Sequence, residues 1–212
     1  MCPPDGNHRR LRLHLRELIG TRTIVTVSGA HKGVGKTALS EILLRSLSNF
    51  AAIKITITDK AAMVTDDEQE LMIPATDTWR MKNSGAVKVV WVRSSEDHLL
   101  DSLKHALGKI VSCRGILIEG NSILRYLDPT LSLFVVATAL GTMKPSRVRA
   151  LEKADICVIN QISKSTPDTG IVEDIRSHNP ALIILAINLL NPTCTNGDDY
   201  TRLLTLLNER IS

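Results

Sequence analysis

The sequence predicts an α/β fold in which helices cover both faces of a doubly wound, mostly parallel sheet of about seven strands, giving three layers. Short apolar runs rich in β-branched residues alternate along the chain with longer segments of helical periodicity, which is the pattern of repeated strand–helix–strand units. Several runs are apolar throughout, as strands buried on both faces must be. Aromatic residues make up only 3% of the chain, so the core between the layers is expected to be aliphatic.

The strands and helices follow one another in a regular order. The short, apolar, β-branched-rich runs predict strands at Thr23–Ser28, Ala52–Thr58, Val87–Arg93, Gly115–Glu119, Leu131–Ala137, Asp155–Asn160 and Ala181–Asn188. Apolar residues at helical spacing predict helices at Thr37–Asn49, Asp77–Asn83, Glu96–Val111, Pro145–Lys153, Asp168–Ser177 and Asp198–Arg210. The segment from Asp59 to Thr76 shows neither period, and its acidic cluster, Thr65-Asp66-Asp67-Glu68, predicts a solvated loop.

Length and charge restrict the organisation of the chain. Its 212 residues correspond to one domain, since domains hold about 100–200 residues. We expect this domain to span residues 21–212 and the arginine-rich residues 1–20 to form a basic N-terminal arm; a short amphipathic element before the first strand is the alternative. The formal net charge of +4 is too small to predict a nucleic-acid-binding protein, and base-stacking single-strand binders need more aromatic rings.

Cysteine usage and hydropathy indicate a cellular location. The four cysteines form no C-x-x-C pair, which is typical of reduced thiols in a cytoplasmic protein. No apolar stretch reaches the length of about 18 residues at which a membrane span is expected. The polar, basic start of the chain also lacks the apolar segment of a signal peptide. We therefore expect a cytoplasmic protein with no membrane partner.

A glycine-rich loop follows the first strand and opens a helix. Its sequence, Ala30-His31-Lys32-Gly33-Val34-Gly35-Lys36-Thr37, matches the phosphate-loop pattern G-x-x-x-x-G-K-[ST] with alanine at the first glycine. Gly33 and Gly35 allow the backbone to turn so that successive N–H groups point at phosphate oxygens. Lys36 places a cation on the β- and γ-phosphates, and the Thr37 hydroxyl can ligate Mg²⁺. The loop therefore predicts Mg²⁺-dependent binding of a nucleoside triphosphate.

The helix that starts at Thr37 adds its own N–H donors to this loop. Two loop residues have open roles, because His31 and Lys32 can be auxiliary phosphate contacts or solvated side chains. The predicted nucleotide contacts from this segment are Ala30, His31, Lys32, Gly33, Val34, Gly35, Lys36, Thr37 and Ala38.

A phosphate-loop protein also needs a carboxylate at a neighbouring strand end to hold Mg²⁺. Glu119 ends an apolar strand and is followed by glycine, so it is the first candidate. Asp59 ends the second strand, where it can contact the metal, orient an attacking water, or simply form a turn. Asp77 opens a helix, where Thr76 or Asp77 itself can serve as the N-cap. We predict Lys36, Asp59 and Glu119 as catalytic residues, and Thr37, Glu119 and Asp59 as metal ligands.

Several cations are placed where substrates of doubly wound folds bind. Arg80 lies on the helix that Asp77 opens, and Lys144 and Arg147 open the helix after the fifth strand. Substrates of such folds bind outside the carboxyl ends of the strands. We therefore predict that Asp77, Arg80, Lys144 and Arg147 contact a small anionic substrate; solvated helix starts are the alternative.

These pieces together resemble the molybdopterin-guanine dinucleotide biosynthesis protein B family, within the class of phosphate-loop (P-loop) NTPases that includes signal-recognition, MinD-type and accessory NTPases. Besides the loop, the resemblance rests on Asp77-Thr78-x-Arg80, Gly85-Ala86-Val87 and Ile118-Glu119-Gly120. The family's His-rich stretch after the second strand is replaced by Thr58-Asp59-Lys60. The resemblance implies a P-loop NTPase fold, GTP binding and assistance in attaching a nucleotide to the molybdenum cofactor.

The choice of base rests on Asn160, which ends the predicted strand Asp155–Asn160. The Asn-Lys-x-Asp sequence that reads guanine is not completed after this asparagine. A lone asparagine here is similar to the base-contacting asparagine of dethiobiotin synthetase and MinD-type ATPases, and an amide can pair with the adenine N6/N7 edge. A turn-forming role is the alternative, and both ATP and GTP stay open.

Three functions are compatible with these residues. The leading hypothesis is a Mg²⁺-dependent protein that binds GTP or ATP, hydrolyses it slowly and serves as an accessory factor in cofactor biosynthesis, acting on a partner protein. The second is an ATP-dependent small-molecule kinase or ligase of dethiobiotin-synthetase type. The third is a non-enzymatic module that forms a homodimer through its phosphate loops when nucleotide is bound.

Overall fold

A computed structural model describes residues 15–110, 112–161, 168–195 and 197–211. Its strands are β1 (Thr23–Gly29), β2 (Phe50–Ile57), β3 (Met63–Thr65), β4 (Val89–Ser94), β5 (Gly115–Glu119), β6 (Leu131–Val136), β7 (Ile156–Asn160) and β8 (Ile183–Ile187). Its α-helices are α1 (Lys36–Ser46), α2 (Glu68–Leu71), α3 (Asp77–Asn83), α4 (Leu99–Gly108), α5 (Pro145–Glu152), α6 (Thr169–His178), α7 (Pro192–Thr195) and α8 (Gly197–Ile211). A 3₁₀ turn covers Ser122–Arg125, and residues 15–19 are also helical.

All strands of the described chain belong to one sheet with the order β3-β4-β2-β5-β1-β6-β7-β8. Every neighbouring pair is parallel except β3 and β4, which are antiparallel. Strand β1 lies between β5 and β6, so the loop that leaves β1 is flanked by the carboxyl ends of both neighbours. The predicted α/β fold with a mostly parallel sheet in three layers is confirmed. The sheet has one strand more than the seven predicted, because β3 was not recognised.

The core forms two clusters, one on each face of the sheet. One face includes Ile53 and Val90 and packs against α4, α5 and α6. The other includes Ala52 and Leu117 and packs against α1, α3 and α8. Successive residues of one strand, such as Ala52 and Ile53, therefore enter different clusters, as the alternation of a pleated strand requires. The aliphatic strand runs are buried on both sides, which explains why they lack polar alternation.

The segment from Asp59 to Thr76 is more structured than the sequence predicts. Met63–Thr65 pairs with β4, and the short helix α2 follows. Asp66 accepts a hydrogen bond from Lys109 Nζ at 2.7 Å and forms an ion pair with Lys88 at the same distance. These two lysines lower the pKa of Asp66 from 3.8 to about 2. The prediction of a solvated loop is therefore wrong for this part, since it contains a strand and a short helix and Asp66 binds two lysines.

The described end of the basic N-terminal arm packs against the domain. Leu15 is 1% exposed, and Leu15 and Ile19 belong to the core cluster beside α4. Arg22 donates to the main-chain carbonyls of Ile19 and Ile110 at 2.9 and 2.8 Å. Residues 15–19 thus follow the alternative of a short packed element rather than a solvated arm. Residues 1–14 lie outside the described part of the chain.

None of the helices in the described ranges combines the length and the apolar character that crossing a bilayer would require.

Candidate nucleotide-binding site

The glycine-rich loop has the backbone conformation that its glycines make possible. Gly33 and Gly35 have positive φ angles of 82° and 108°, which side chains with a Cβ rarely adopt. Gly35 is the N-cap of α1, and no side chain of the described residues caps this helix start. The first N–H groups of α1 are therefore not used by a capping side chain, and such groups are suited to bind an anion.

The strands on both sides fix the entry to this loop. Asn121 Oδ1 accepts a hydrogen bond from Gly29 N at 2.9 Å, and Asn121 Nδ2 donates to Gly29 O at 3.0 Å. On the other side, Ala30 N donates to Val135 O at 2.9 Å. A Cβ on Gly29 would lie 2.8 Å from Val135 O, so the strand end tolerates only glycine. The role of Asn121 was not predicted from the sequence, because this residue follows Glu119 by two positions and belongs to no motif.

Lys36 lies in the electrostatic centre of the site. Its Nζ donates to the main-chain carbonyl of His31 at 2.8 Å. Burial lowers the pKa of Lys36, and the positive charges of Lys54 and Arg147 act in the same direction against the opposing effect of Glu119. Two carboxylates and two cations thus act on the ammonium in opposite directions, and burial leaves the pKa of Lys36 below its usual value.

Two carboxylates meet the hydroxyl of Thr37. Thr37 Oγ1 lies 2.9 Å from Asp77 Oδ1 and 3.2 Å from Glu119 Oε1, so it can donate to either. Ser40 Oγ, one helical turn further along α1, donates to Glu119 Oε2 at 3.2 Å. Glu119 is 1% exposed. The strand end of β5 and the start of α1 therefore form one buried polar cluster, and the assignment of Thr37 and Glu119 as metal ligands stays a prediction.

Lys54 joins this cluster from β2. Its Nζ forms an ion pair with Asp77 Oδ2 at 2.6 Å and also donates to Glu119 Oε1. Burial acts to lower the pKa of Lys54, but the two carboxylates outweigh it and raise the pKa. Burial likewise acts to raise the pKa of Asp77, but the hydrogen bond from Lys54 leaves it below its usual value. Lys54 was not predicted from the sequence, because it belongs to no motif. The sequence feature that could have indicated it is a single charged residue inside the apolar run Phe50–Ile57.

Asp77 and Asp59 have positions different from those that the sequence favoured. Thr76 takes the capping role for α3, since its hydroxyl accepts a hydrogen bond from Trp79 N at 3.4 Å. Asp77 is thereby free to contact Thr37 and Lys54. Asp59 lies on the exposed turn after β2 and forms neither a hydrogen bond nor an ion pair with other described residues. The structure brings Asp77 rather than Asp59 into hydrogen-bonding contact with Thr37.

The oxygen atoms of Thr37, Asp77 and Glu119 suit a Mg²⁺ ion. Mg²⁺ prefers hard oxygen ligands and keeps several waters or phosphate oxygens, so it is usually held by one or two carboxylates. The described residues contain no group of three or more His, Cys, Asp or Glu side chains that can hold a metal. Two carboxylates and one hydroxyl leave coordination positions that phosphate oxygens and waters would fill.

The predicted substrate cations are distributed around this cluster. Arg80 Nη2 pairs with Glu41 Oε2 at 2.5 Å and so joins α3 to α1. Lys144 is exposed at the N-cap of α5. Arg147, on the first turn of that helix, is half-buried and close enough to lower the pKa of Lys36. Of these three cations, Arg147 is the one whose charge acts on the pKa of Lys36.

The loop before α5 lies against the phosphate loop. A Cβ on Gly141 would come within 3.3 Å of His31 Cε1 and Nε2. His31 is half-buried, whereas Lys32 is exposed. The contact places His31 between the two loops.

Asn160 connects the phosphate loop to the segment after β8. Its Nδ2 donates to Val34 O at 3.0 Å, and its Oδ1 accepts from Leu189 N at 3.1 Å. Asn188 Oδ1 accepts from the N–H groups of Leu190 and Asn191, at 3.0 and 3.1 Å, and fixes the same segment. One Nδ2 hydrogen of Asn160 is used by Val34, and an amide has a second one for a base.

Comparison with known proteins relates the fold to solved structures. No protein-family model matches the chain, and no curated protein sequence matches it. The hydrogenase maturation factor HypB from Archaeoglobus fulgidus is 18% identical, with a TM-score of 0.63, over 97% of this chain and 99% of that one. HypB from Helicobacter pylori, solved in complex with nickel, is 14% identical, with a TM-score of 0.59, over 97% and 95% of the two chains. At this identity the similarity shows a common fold and nothing more specific.

Proposed function

We propose that this protein binds a nucleoside triphosphate together with Mg²⁺, hydrolyses it slowly and serves as an accessory factor in the maturation of an enzyme cofactor. The observation that carries the proposal is the cluster in which Thr37, beside Lys36, meets the carboxylates of Asp77 and Glu119. These four residues supply the cation, the hydroxyl and the acidic oxygens that binding of a metal-bound triphosphate requires.

In this mechanism the chain mainly positions charge. The backbone of residues 33–37 and the Lys36 ammonium hold the β- and γ-phosphates, and Arg147 adds a second positive charge on the α5 side. Thr37, Asp77 and Glu119 are the residues that would hold a Mg²⁺ ion, and that ion would supply positive charge beside the phosphate oxygens. Asn160 keeps the loop in place through Val34 and contacts the base with its second N–H. Both ATP and GTP are compatible with an amide contact.

The accessory role is supported by two independent similarities. The sequence resembles the molybdopterin-guanine dinucleotide biosynthesis protein B family, and one structural neighbour is described as a hydrogenase maturation factor. The first concerns the molybdenum cofactor, and the second concerns the maturation of an enzyme. We therefore propose that this cytoplasmic protein acts on a maturation partner, with a molybdopterin-type cofactor as the first candidate.

A test starts from calorimetric titration of the protein with ATP, GTP and their diphosphates in the presence of Mg²⁺. Replacing the ammonium that contacts the phosphates removes charge-assisted hydrogen bonds worth about 1.5–3 kcal/mol, so Lys36→Ala should weaken binding by about 10-fold to 150-fold. Lys153, which follows the C-terminal end of α5 and pairs with Asp128 at 2.8 Å, provides the control, and Lys153→Ala should change affinity much less. Equal affinities of wild type and Lys36→Ala would contradict the proposal.

A small-molecule kinase or ligase is the second candidate function, and the position of Arg147 near Lys36 favours it. A cation on that side can hold an anionic acceptor beside the γ-phosphate. Phosphate release without any added acceptor supports the accessory NTPase, whereas diphosphate production only with an added metabolite supports the kinase or ligase. A third outcome, a dimer that forms only with a non-hydrolysable triphosphate and without turnover, would indicate a nucleotide-switched module.

A further inference from the structure

Lys54 uses the same oxygen atoms that the proposed metal site needs. Its ammonium is bonded to Asp77 and Glu119, and Thr37 Oγ1 contacts the same two carboxylates. The Lys54 side chain is 14% exposed, whereas the Asp77 side chain is 44% exposed. The cluster is therefore closed on the side of Glu119 and accessible on the side of Asp77.

The contact between Lys54 and Glu119 follows from the pairing of their strands. Lys54 on β2 and Glu119 on β5 are direct partners in the parallel register, so their side chains leave the same face at neighbouring positions. Lys54 also shares its face with Ala52, which contacts the cluster beneath α1 and α3. An ammonium between α1, α3 and β5 is thus a consequence of strand order and register.

Charge determines what this lysine does to a metal. The two carboxylates and one ammonium have a formal net charge of −1, whereas the carboxylates alone would have −2. Mg²⁺ binds oxygens at about 2.0–2.1 Å, and an ammonium at hydrogen-bond distance from the same oxygens repels it strongly in a buried site. Without nucleotide, a divalent ion therefore encounters a cluster of lower negative charge and competes with the Lys54 ammonium for its oxygen atoms. The phosphates of a bound nucleotide would add the negative charge that metal binding requires.

We propose that Lys54 is a resident counter-ion that prevents a free divalent cation from binding to Thr37, Asp77 and Glu119, so that metal binds only together with a nucleoside triphosphate. This inference rests on the proposed function and adds that Lys54 makes metal binding depend on a bound nucleoside triphosphate. A purely structural ion pair predicts only lost stability when Lys54 is replaced. The counter-ion role predicts that metal affinity is gained.

The experiment measures Mn²⁺ binding to the full chain without nucleotide, by the electron paramagnetic resonance signal of free Mn²⁺. Wild type should show no saturable site in the millimolar range. Lys54→Met should bind one Mn²⁺ at least about tenfold more tightly than wild type, because the competing ammonium is gone and the net charge is more negative. Lys54→Arg keeps the charge and should behave as wild type.

Two further measurements separate metal binding from altered folding. Lys54→Met leaves Glu119 buried without its cation, which lowers the thermal midpoint, and Mn²⁺ should raise that midpoint in Lys54→Met but not in wild type. Adding Glu119→Gln to Lys54→Met should abolish the gained Mn²⁺ site. Lys88→Met is the matched control, since Lys88 forms an ion pair with Asp66 at the opposite end of the strands, and it should gain no metal affinity.

The outcomes distinguish this inference from the proposed function. A saturable Mn²⁺ site in nucleotide-free wild type would overturn the inference, and this result does not depend on any variant folding. Equal Mn²⁺ affinities of folded wild type and Lys54→Met would overturn it as well. Failure of wild type to bind any nucleoside triphosphate with Mg²⁺ would instead remove the proposed function.

Discussion

Gly35 should be the position of the phosphate loop that is most sensitive to substitution, because an added Cβ causes both backbone strain and steric clashes there. Its φ of 108° is strained for any residue with a Cβ, which costs about 1–2 kcal/mol. A Cβ would also lie 2.7 Å from Asn160 Nδ2 and 2.9 Å from Leu189 Cδ1. To make room, Asn160 must leave its hydrogen bonds with Val34 O and Leu189 N.

The expected free-energy change follows from these contacts. Two neutral hydrogen bonds at about 0.5–1.5 kcal/mol each contribute about 1–3 kcal/mol, so Gly35→Ala should destabilise the protein by about 2–5 kcal/mol in all. Gly33→Ala is the matched control, since φ is 82° but nothing lies within 4 Å of the added Cβ. It should cost only the backbone strain of about 1–2 kcal/mol.

Thermal unfolding without nucleotide measures both variants. In a chain of this size 1 kcal/mol corresponds to about 2–4 °C, so Gly35→Ala should lower the midpoint by about 4–20 °C and Gly33→Ala by about 2–8 °C. In an Asn160→Ala background, Gly35→Ala should cost less than it does in wild type, because only Leu189 Cδ1 then crowds the added Cβ. Equal losses for the two glycines in wild type would show that Asn160 does not occupy the space beside Gly35.

Three further predictions concern the pH dependence of stability, a thiol and a helix contact. The pKa of Asp66 is about 2 in the fold and 3.8 ordinarily, so the ionised side chain stabilises the fold above pH 3.8 and this stabilisation is lost as the pH falls towards 2. The difference in thermal midpoint between wild type and Asp66→Asn should therefore shrink between pH about 4 and pH about 2. A difference that stays constant over this range would contradict the ion pairs of Asp66. Burial raises the pKa of Cys157 to about 12, so iodoacetamide should modify the partly exposed Cys113 before Cys157, and Cys157 only after unfolding. Peptide mass spectrometry measures the modification of each thiol. Equal modification rates of the two thiols in the native protein would be incompatible with the burial of Cys157. Arg80→Met removes the ion pair that joins α3 to α1 and should weaken Mg²⁺-dependent nucleotide binding measured by calorimetry. Lys82→Met on the same helix removes only a hydrogen bond to Val87 O and should not; equal effects would show that the ion pair does not position Asp77.

Local sequence patterns were sufficient to predict the backbone of the glycine-rich loop and the place of Glu119 at a strand end. The glycine spacing at Gly33 and Gly35 predicts positive φ angles, because only glycine adopts them easily. The placement of Glu119 follows from strand periodicity, since a polar residue at the end of a buried strand has its side chain near the carboxyl edge of the sheet. Each of these inferences uses residues within one strand–loop–helix unit.

The remaining members of the site come from distant parts of the chain. Asp77 meets Thr37 across 40 positions of sequence, and Glu119 meets Lys54 across 65. The sequence favoured Asp59 because it directly follows a predicted strand. It could not show that α3 packs on α1 so that the first residue of α3 contacts Thr37. The strand β3 was missed because three residues are too few to display a period.

The amino-acid sequence alone therefore determined the layers of the fold, the conformation of the phosphate loop and the position of Glu119 at a strand end. These depend on propensities and periods that act within a few residues. Only the tertiary structure decided that Lys54 and Asp77 join Glu119, and that Asn160 holds the phosphate loop. The physical reason is that such contacts require a particular strand order, and strand order is set by how helices cover both faces of the sheet rather than by any local pattern.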